Sequence, residues 1–70
     1  MHLGQAIIYL NPSNVRRFKI TSHKDIPEIG LKHHNFREFD RYDSALQGDF
    51  LSREVVSIDC MNNMIVFEIE

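Results

Sequence analysis

Apolar and polar residues alternate most regularly over Glu54–Glu70, EVVSIDCMNNMIVFEIE. Successive side chains of a strand point to opposite faces. Val56, Ile58 and Cys60 therefore share one face of a first strand, and Ile65, Phe67 and Ile69 share one face of a second. A two-residue turn at Asn62-Asn63 sets Cys60 opposite Ile65, Ile58 opposite Phe67 and Val56 opposite Ile69, which places all six on a single face. A four-residue loop preserves this pairing, whereas a three-residue loop slips the register by one and breaks it. Asn tolerates the left-handed backbone that a tight hairpin turn requires. The other face carries Val55, Ser57, Asp59, Met64, Val66, Glu68 and Glu70, a mixed set in which Met64 and Val66 imply cover from a loop or another subunit. This hairpin is the most apolar part of the chain and the expected centre of the fold.

Earlier in the chain the pattern is less regular. Gln5–Asn11, QAIIYLN, is an apolar run rich in β-branched and aromatic residues and predicts a strand. Asn11-Pro12-Ser13-Asn14 has strong turn chemistry, with a short helical turn over residues 12–16 as the competing reading. Val15–Thr21 alternates, with Arg16, Phe18 and Ile20 on one side and Val15, Arg17, Lys19 and Thr21 on the other. A four-residue loop would pair Ile7 with Phe18 and Tyr9 with Arg16 in a first hairpin. Ser22–His34 contains Pro27 and Gly30 and has no period, so it reads as a loop pinned to the core by Ile26, Ile29 and Leu31. A connection this long in a small protein is often a binding segment.

Asn35–Gln47 predicts the helix. Asn35 and Glu38 have capping-box spacing, Phe36, Phe39, Tyr42 and Leu46 recur at three and four residues, and Gly48 follows as a stop. Glu38 and Arg41 are spaced to pair along that helix. Phe50 and Leu51 read as core. The order strand, strand, helix, strand, strand predicts a single α+β domain over residues 1–70: an antiparallel sheet of two hairpins with one helix packed on one face. Phe18, Phe39, Tyr42, Ile58 and Phe67 are the expected core.

Length sharpens this picture, because 70 residues bury too little surface for ample stability and usually need reinforcement. With one cysteine there is no internal disulfide, which leaves a compact core, a metal or a partner. A lone thiol also suits a reducing, cytoplasmic compartment, and parity places Cys60 on the core face as a small hydrophobe. No stretch is long enough to span a membrane, and the short apolar start lacks the basic flank of a signal peptide. The net charge of −2 is unevenly spread: Arg16–Arg37 carries +4 and three of the four histidines, while Glu38–Glu70 carries −6.

The residues that could carry chemistry lead mostly to ordinary readings. His23, His33, His34 and Cys60 lack the spacing of a metal site, and adjacent histidines do not share a face of a helix or strand. A nucleophilic Cys60 would have to be exposed. Asp40 with Asp43, and Glu68 with Glu70, read as solvated surface charge, and the three glycines stand too far apart for a phosphate loop. No enzyme activity, cofactor or metal is expected. The remaining function is binding. The apolar final strand suits pairing with another protein, including a second copy of this chain. The expected exposed contact set is Arg16, Arg17, Lys19, Lys24, His33 and His34. The alternative is an accessory protein that binds nucleic acid through the basic segment 16–37, with Tyr9 and Phe18 as stacking surface.

Overall fold

The computed structural model describes residues 1–10 and 15–70. Leu3, Ala6, Ile7 and Leu10 stand at helical spacing, and Leu3–Tyr9 forms a helix, α1. Leu3, Ala6 and Leu10 are buried, Ile7 packs against them from the side, and the His2 backbone N–H donates to Gln5 Oε1 at 3.0 Å at the helix start. The strand expected over Gln5–Asn11 is a helix as far as Tyr9, and the hairpin pairing Ile7 with Phe18 and Tyr9 with Arg16 does not form. The Ile7-Ile8 run favours a strand by residue type. The 3.6-residue stripe, however, gives a helix an apolar face to bury, and tertiary packing outweighs local preference. The turn expected at residues 11–14 lies outside the described residues. Val15 and Arg16 belong to neither helix nor strand.

Four strands follow: β1, Arg17–Ser22; β2, Phe36–Asp40; β3, Val55–Met61; and β4, Met64–Ile69. They form one sheet in the order β2-β1-β4-β3. The β1–β2 and β3–β4 pairs are antiparallel, and β1 runs parallel to β4. The class is α+β, with one α-helix and a mixed sheet among the described residues. The expected two-hairpin antiparallel sheet in the order β-β-α-β-β is corrected to α-β-β-β-β with a parallel pair at its centre.

The helix expected over Asn35–Gln47 is replaced by β2 and irregular chain. Phe36–Asp40 also alternates, which lets it pair along β1 with Phe39 opposite Phe18 and Glu38 opposite Lys19. The Phe18 and Phe39 rings stack with centroids 6.2 Å apart, and the Arg37 guanidinium lies 4.5 Å above the Phe39 ring. Of the supposed helical stripe, only Phe39 is fully buried. Leu46 packs at the side, while Phe36 and Tyr42 are exposed, Tyr42 to 77%. Tyr42 is therefore not core. Gly48, with φ 62°, leads into a short 3₁₀ turn, Gly48–Ser52, instead of stopping a helix.

One face of the sheet is covered by α1, by the Gly48–Ser52 turn and by the 23–35 loop. Phe18, Ile20, Phe39, Phe67 and Ile69 are buried beneath them, with the Phe18 and Phe67 rings edge-on at 5.5 Å. The Leu3 N–H donates to the Arg53 carbonyl at 2.9 Å, and Gly4 lies against Leu51, so α1 and this turn hold each other over the sheet. In the loop, the Ile26 and Leu31 backbones exchange hydrogen bonds of 2.7 and 3.1 Å around a 3₁₀ turn at Pro27–Ile29, which closes on Gly30 at φ 68°. Both side chains are buried and Ile29 partly so, which pins the loop as expected.

The final hairpin keeps its predicted turn. Asn62 and Asn63 have φ 54° and 64°, the backbone of a type I′ turn, and Cys60 pairs with Ile65 and Ile58 with Phe67. A bulge then shifts the register, so that Ile69 faces Val55 instead of Val56. The burial of β3 departs from expectation. Val56, Ile58 and Cys60 are all exposed, so neither Ile58 nor Cys60 is core. β3 is an edge strand, and the covering layer reaches its first residue, Val55, but stops short of the rest. Val66 is buried on the uncovered face, between its cross-strand neighbours Lys19 and Asp59.

Candidate functional site

The six basic residues expected to act together divide into two groups at opposite ends of β1, a strand of about 20 Å. Arg16 precedes β1, and its Nε donates to Asp40 Oδ2 at 2.8 Å. Arg17 bonds Glu38 and lies 3.9 Å from Asp40. Lys19 shares the uncovered face with Arg17, between Glu38 and Val66. Beyond the other end of β1, Lys24 is exposed. The His33 backbone N–H donates to Asp25 Oδ1 at 2.8 Å, and its ring Nδ1 lies 2.6 Å from the same oxygen. His34, at φ 65°, donates its N–H to the Ser22 carbonyl. The two imidazoles meet edge-on at 5.1 Å.

Folding interleaves the basic and acidic halves of the sequence. Arg16 and Arg17 meet Asp40 and Glu38, and His23 Nε2 stands 2.6 Å from Glu68 Oε2. The Tyr42 N–H and the Arg16 guanidinium hold the Asp40 carboxyl below its ordinary range. Ser57 and then His23 do the same for Glu68, and the His33 backbone and ring for Asp25. Of the two expected stacking rings, Phe18 is fully buried while Tyr9 is exposed on α1. Among the described residues, no group of three or more His, Cys, Asp or Glu side chains could hold a metal ion, and no helix is long and apolar enough to cross a membrane.

Two features were not anticipated from sequence. One is a groove of about 580 Å³ between the two 3₁₀ turns, floored by Ile26, Ile29 and Phe50 and rimmed by Glu28, Asp49 and Arg53. Its volume suits a small ligand, and its polar lining is Glu28, Gln47, Asp49, Ser52 and Arg53. The other is the open edge of β3. Val56 is 44% and Ile58 54% exposed on the side of the sheet that α1 covers elsewhere, and Met61 is exposed on the uncovered side. In the seven residues of β3 the only charge is Asp59. The opposite edge, β2, has Arg37, Glu38 and Asp40 within five residues. Charge is the usual protection of an edge against further pairing. β2 carries that protection, and on β3 it is reduced to Asp59, the bulge and the N-terminus, whose Met1 carbonyl accepts from the Val55 N–H at 2.8 Å.

This contrast was open to a reading of charge per strand. Parity alone hid it, since alternation identifies the face of a strand but not its place in the sheet. Searches of known protein families, curated proteins and solved structures find no match to this chain.

Proposed function

We propose that this chain is a small, non-enzymatic protein-interaction module whose contact is the open edge of β3. The observation that carries this reading is the exposure of Val56 and Ile58 on a long edge strand with one charge. An unpaired edge offers a row of backbone donors and acceptors, and an added strand gains affinity from them and specificity from alternate side chains. Covering Val56 and Ile58 adds apolar burial, which a chain of this size needs. Exposed Cys60 on the same edge fits a reducing, cytoplasmic setting. The basic residues expected as the contact set are a poorer surface, because Arg16 and Arg17 are already neutralised by Asp40 and Glu38. Those ion pairs also weigh against nucleic acid as the main partner, since phosphate binding draws on unpaired cations.

The test is affinity purification of the tagged chain from its own cells, with and without nuclease, beside an Ile58→Lys variant. A stoichiometric protein that survives nuclease and is lost from the variant supports the reading. Companions that nuclease removes, and that Ile58→Lys leaves in place, would overturn it in favour of nucleic acid on the 16–37 segment.

A further inference from the structure

We infer that the strand added at the β3 edge is β3 of a second copy of this chain, antiparallel to the first, with the two-fold axis at Ile58. This rests on the proposed role of that edge and goes on to name its occupant. The two-residue hairpin sets the backbone geometry. Met61 and Met64 flank the turn as a hydrogen-bonded pair, and the ladder alternates from there. Asp59 and Ser57 therefore bond inward to β4, while Ile58 and Cys60 turn their N–H and C=O groups outward. An axis at Ile58 lets the two Ile58 residues exchange both backbone bonds and sets each Cys60 opposite Val56 of the other copy.

Charge and length select that register. Met1 already holds the edge at Val55, whose N–H donates to the Met1 carbonyl at 2.8 Å, so an axis at Ile58 pairs the five residues centred on it, Val56–Cys60, over about 16 Å. It places Asp59 opposite neutral Ser57. An axis at Asp59 would oppose two carboxylates, which is unfavourable directly across a ladder. An axis at Cys60 would set Ile58 against Asn62 of the turn. The bulge at Val55-Val56 falls at the two ends of the pairing and leaves Ser57–Asp59 regular.

The two-fold also closes the assembly. A β3-to-β2 contact would pack the apolar edge on Arg37, Glu38 and Asp40 and repeat without end, whereas a β3-to-β3 contact leaves only the charged β2 edges free. The contact is small, so the dimer is weak and depends on concentration. The two Asp59 carboxylates stand diagonal across the axis, about 7–8 Å apart, and oppose it mildly.

The experiment is sedimentation equilibrium of the purified chain across the micromolar range, with circular dichroism to confirm folding of each variant. The expected result is a monomer–dimer equilibrium that Ile58→Lys weakens at least tenfold. Asp59→Asn should tighten it about two- to threefold, the size of one screened like-charge pair at that distance. On mild oxidation, Val56→Cys should give a disulfide-linked dimer through native Cys60. The unmodified chain should not, because its two Cys60 residues stand about 13 Å apart in this register and a disulfide spans less than 7 Å.

Several results would overturn the inference. A purified chain that is monomeric throughout, while a cellular protein is still lost with Ile58→Lys, removes the second copy and leaves the interaction module standing. A monomer with no such protein removes both. A dimer indifferent to Ile58→Lys, or a ready Cys60–Cys60 disulfide in the unmodified chain, overturns the edge or its register.

Discussion

Ile58 and Phe67 stand directly opposite each other on the β3–β4 ladder, yet Phe67 is 1% exposed and Ile58 54%. Cross-strand partners share a face, so the difference comes from what lies above them. α1 and the Gly48–Ser52 turn cover β4, reach β3 only at Val55 and stop short of Ile58. Truncation should separate the two residues. Phe67→Ala removes a ring packed on Phe18 and should cost about 3–5 kcal/mol. Ile58→Ala should cost less than about 1 kcal/mol in the monomer. Urea unfolding of dilute protein measures both, and equal costs would mean that the covering layer reaches Ile58.

The hairpin turn depends on two left-handed asparagines. A β-branched residue at Asn63 meets the steric cost of that backbone, so Asn63→Val should lose about 1–2 kcal/mol. Asn63→Gly should lose nothing, because Gly adopts positive φ freely. Thermal melting of the pair tests this, and a harmless Asn63→Val would contradict the type I′ assignment.

Arg37 ties β2 to the loop. Its Nη1 donates to the Ile29 carbonyl at 2.6 Å while the guanidinium covers Phe39. Arg37→Ala removes a charge-assisted hydrogen bond and a cation–π contact and should cost about 1–2 kcal/mol. Amide exchange at Ile29 and Gly30 should quicken at the same time. If stability falls while exchange at those amides is unchanged, Arg37 does not hold the loop.

Acid should destabilise the fold in a predictable direction. Asp40, Glu68 and Asp25 have carboxyl pKa values lowered by folding, through the Tyr42 N–H, the Ser57 hydroxyl and the His33 N–H respectively, each with a further contribution from a basic side chain. A lowered folded value means that the stabilisation is complete above the ordinary carboxylate range, near 4. It is then lost as pH falls through the lowered values, because the unfolded chain takes up protons first. Melting temperature should hold from pH 7 to about 5 and decline below. Glu68→Gln should flatten part of the decline, and a curve unchanged by that substitution would remove Glu68 from the account.

The elements that sequence located correctly are those whose pattern has one solution. Over Glu54–Glu70 a period of two, with two asparagines between the runs, admits a single hairpin register near the turn. The Val15–Thr21 alternation placed Phe18 and Ile20 inside β1, and Ile26 and Leu31 marked where the loop is pinned. Two segments had patterns with two solutions. Leu3–Leu10 is both a β-rich run and a helical stripe. Asn35–Asp40 is both a capped helix start and an alternating strand, and the neighbour decided each case. β1 offered β2 an edge and Phe39 a ring to stack on, and the open face of β1 and β4 offered α1 a surface to bury Leu3, Ala6 and Leu10.

Sequence by itself determined the final hairpin and a charge distribution that is basic before Glu38 and acidic after it. It gave the α+β class with the helix on the wrong segment, Asn35–Gln47 in place of Leu3–Tyr9. Tertiary structure alone decided the strand order, and two further outcomes follow from that order. Placing β1 between β2 and β4 brought Arg17 to Glu38 on one side and His23 to Glu68 on the other, so the charge separation along the chain disappears in space. It also left β3 outermost, which turned Val56, Ile58 and Cys60 from expected core into exposed edge. The reason is that alternation records only which side of its own strand a residue occupies. Whether that side is covered depends on which strands and which helix lie beside it, and those contacts join residues far apart in the chain.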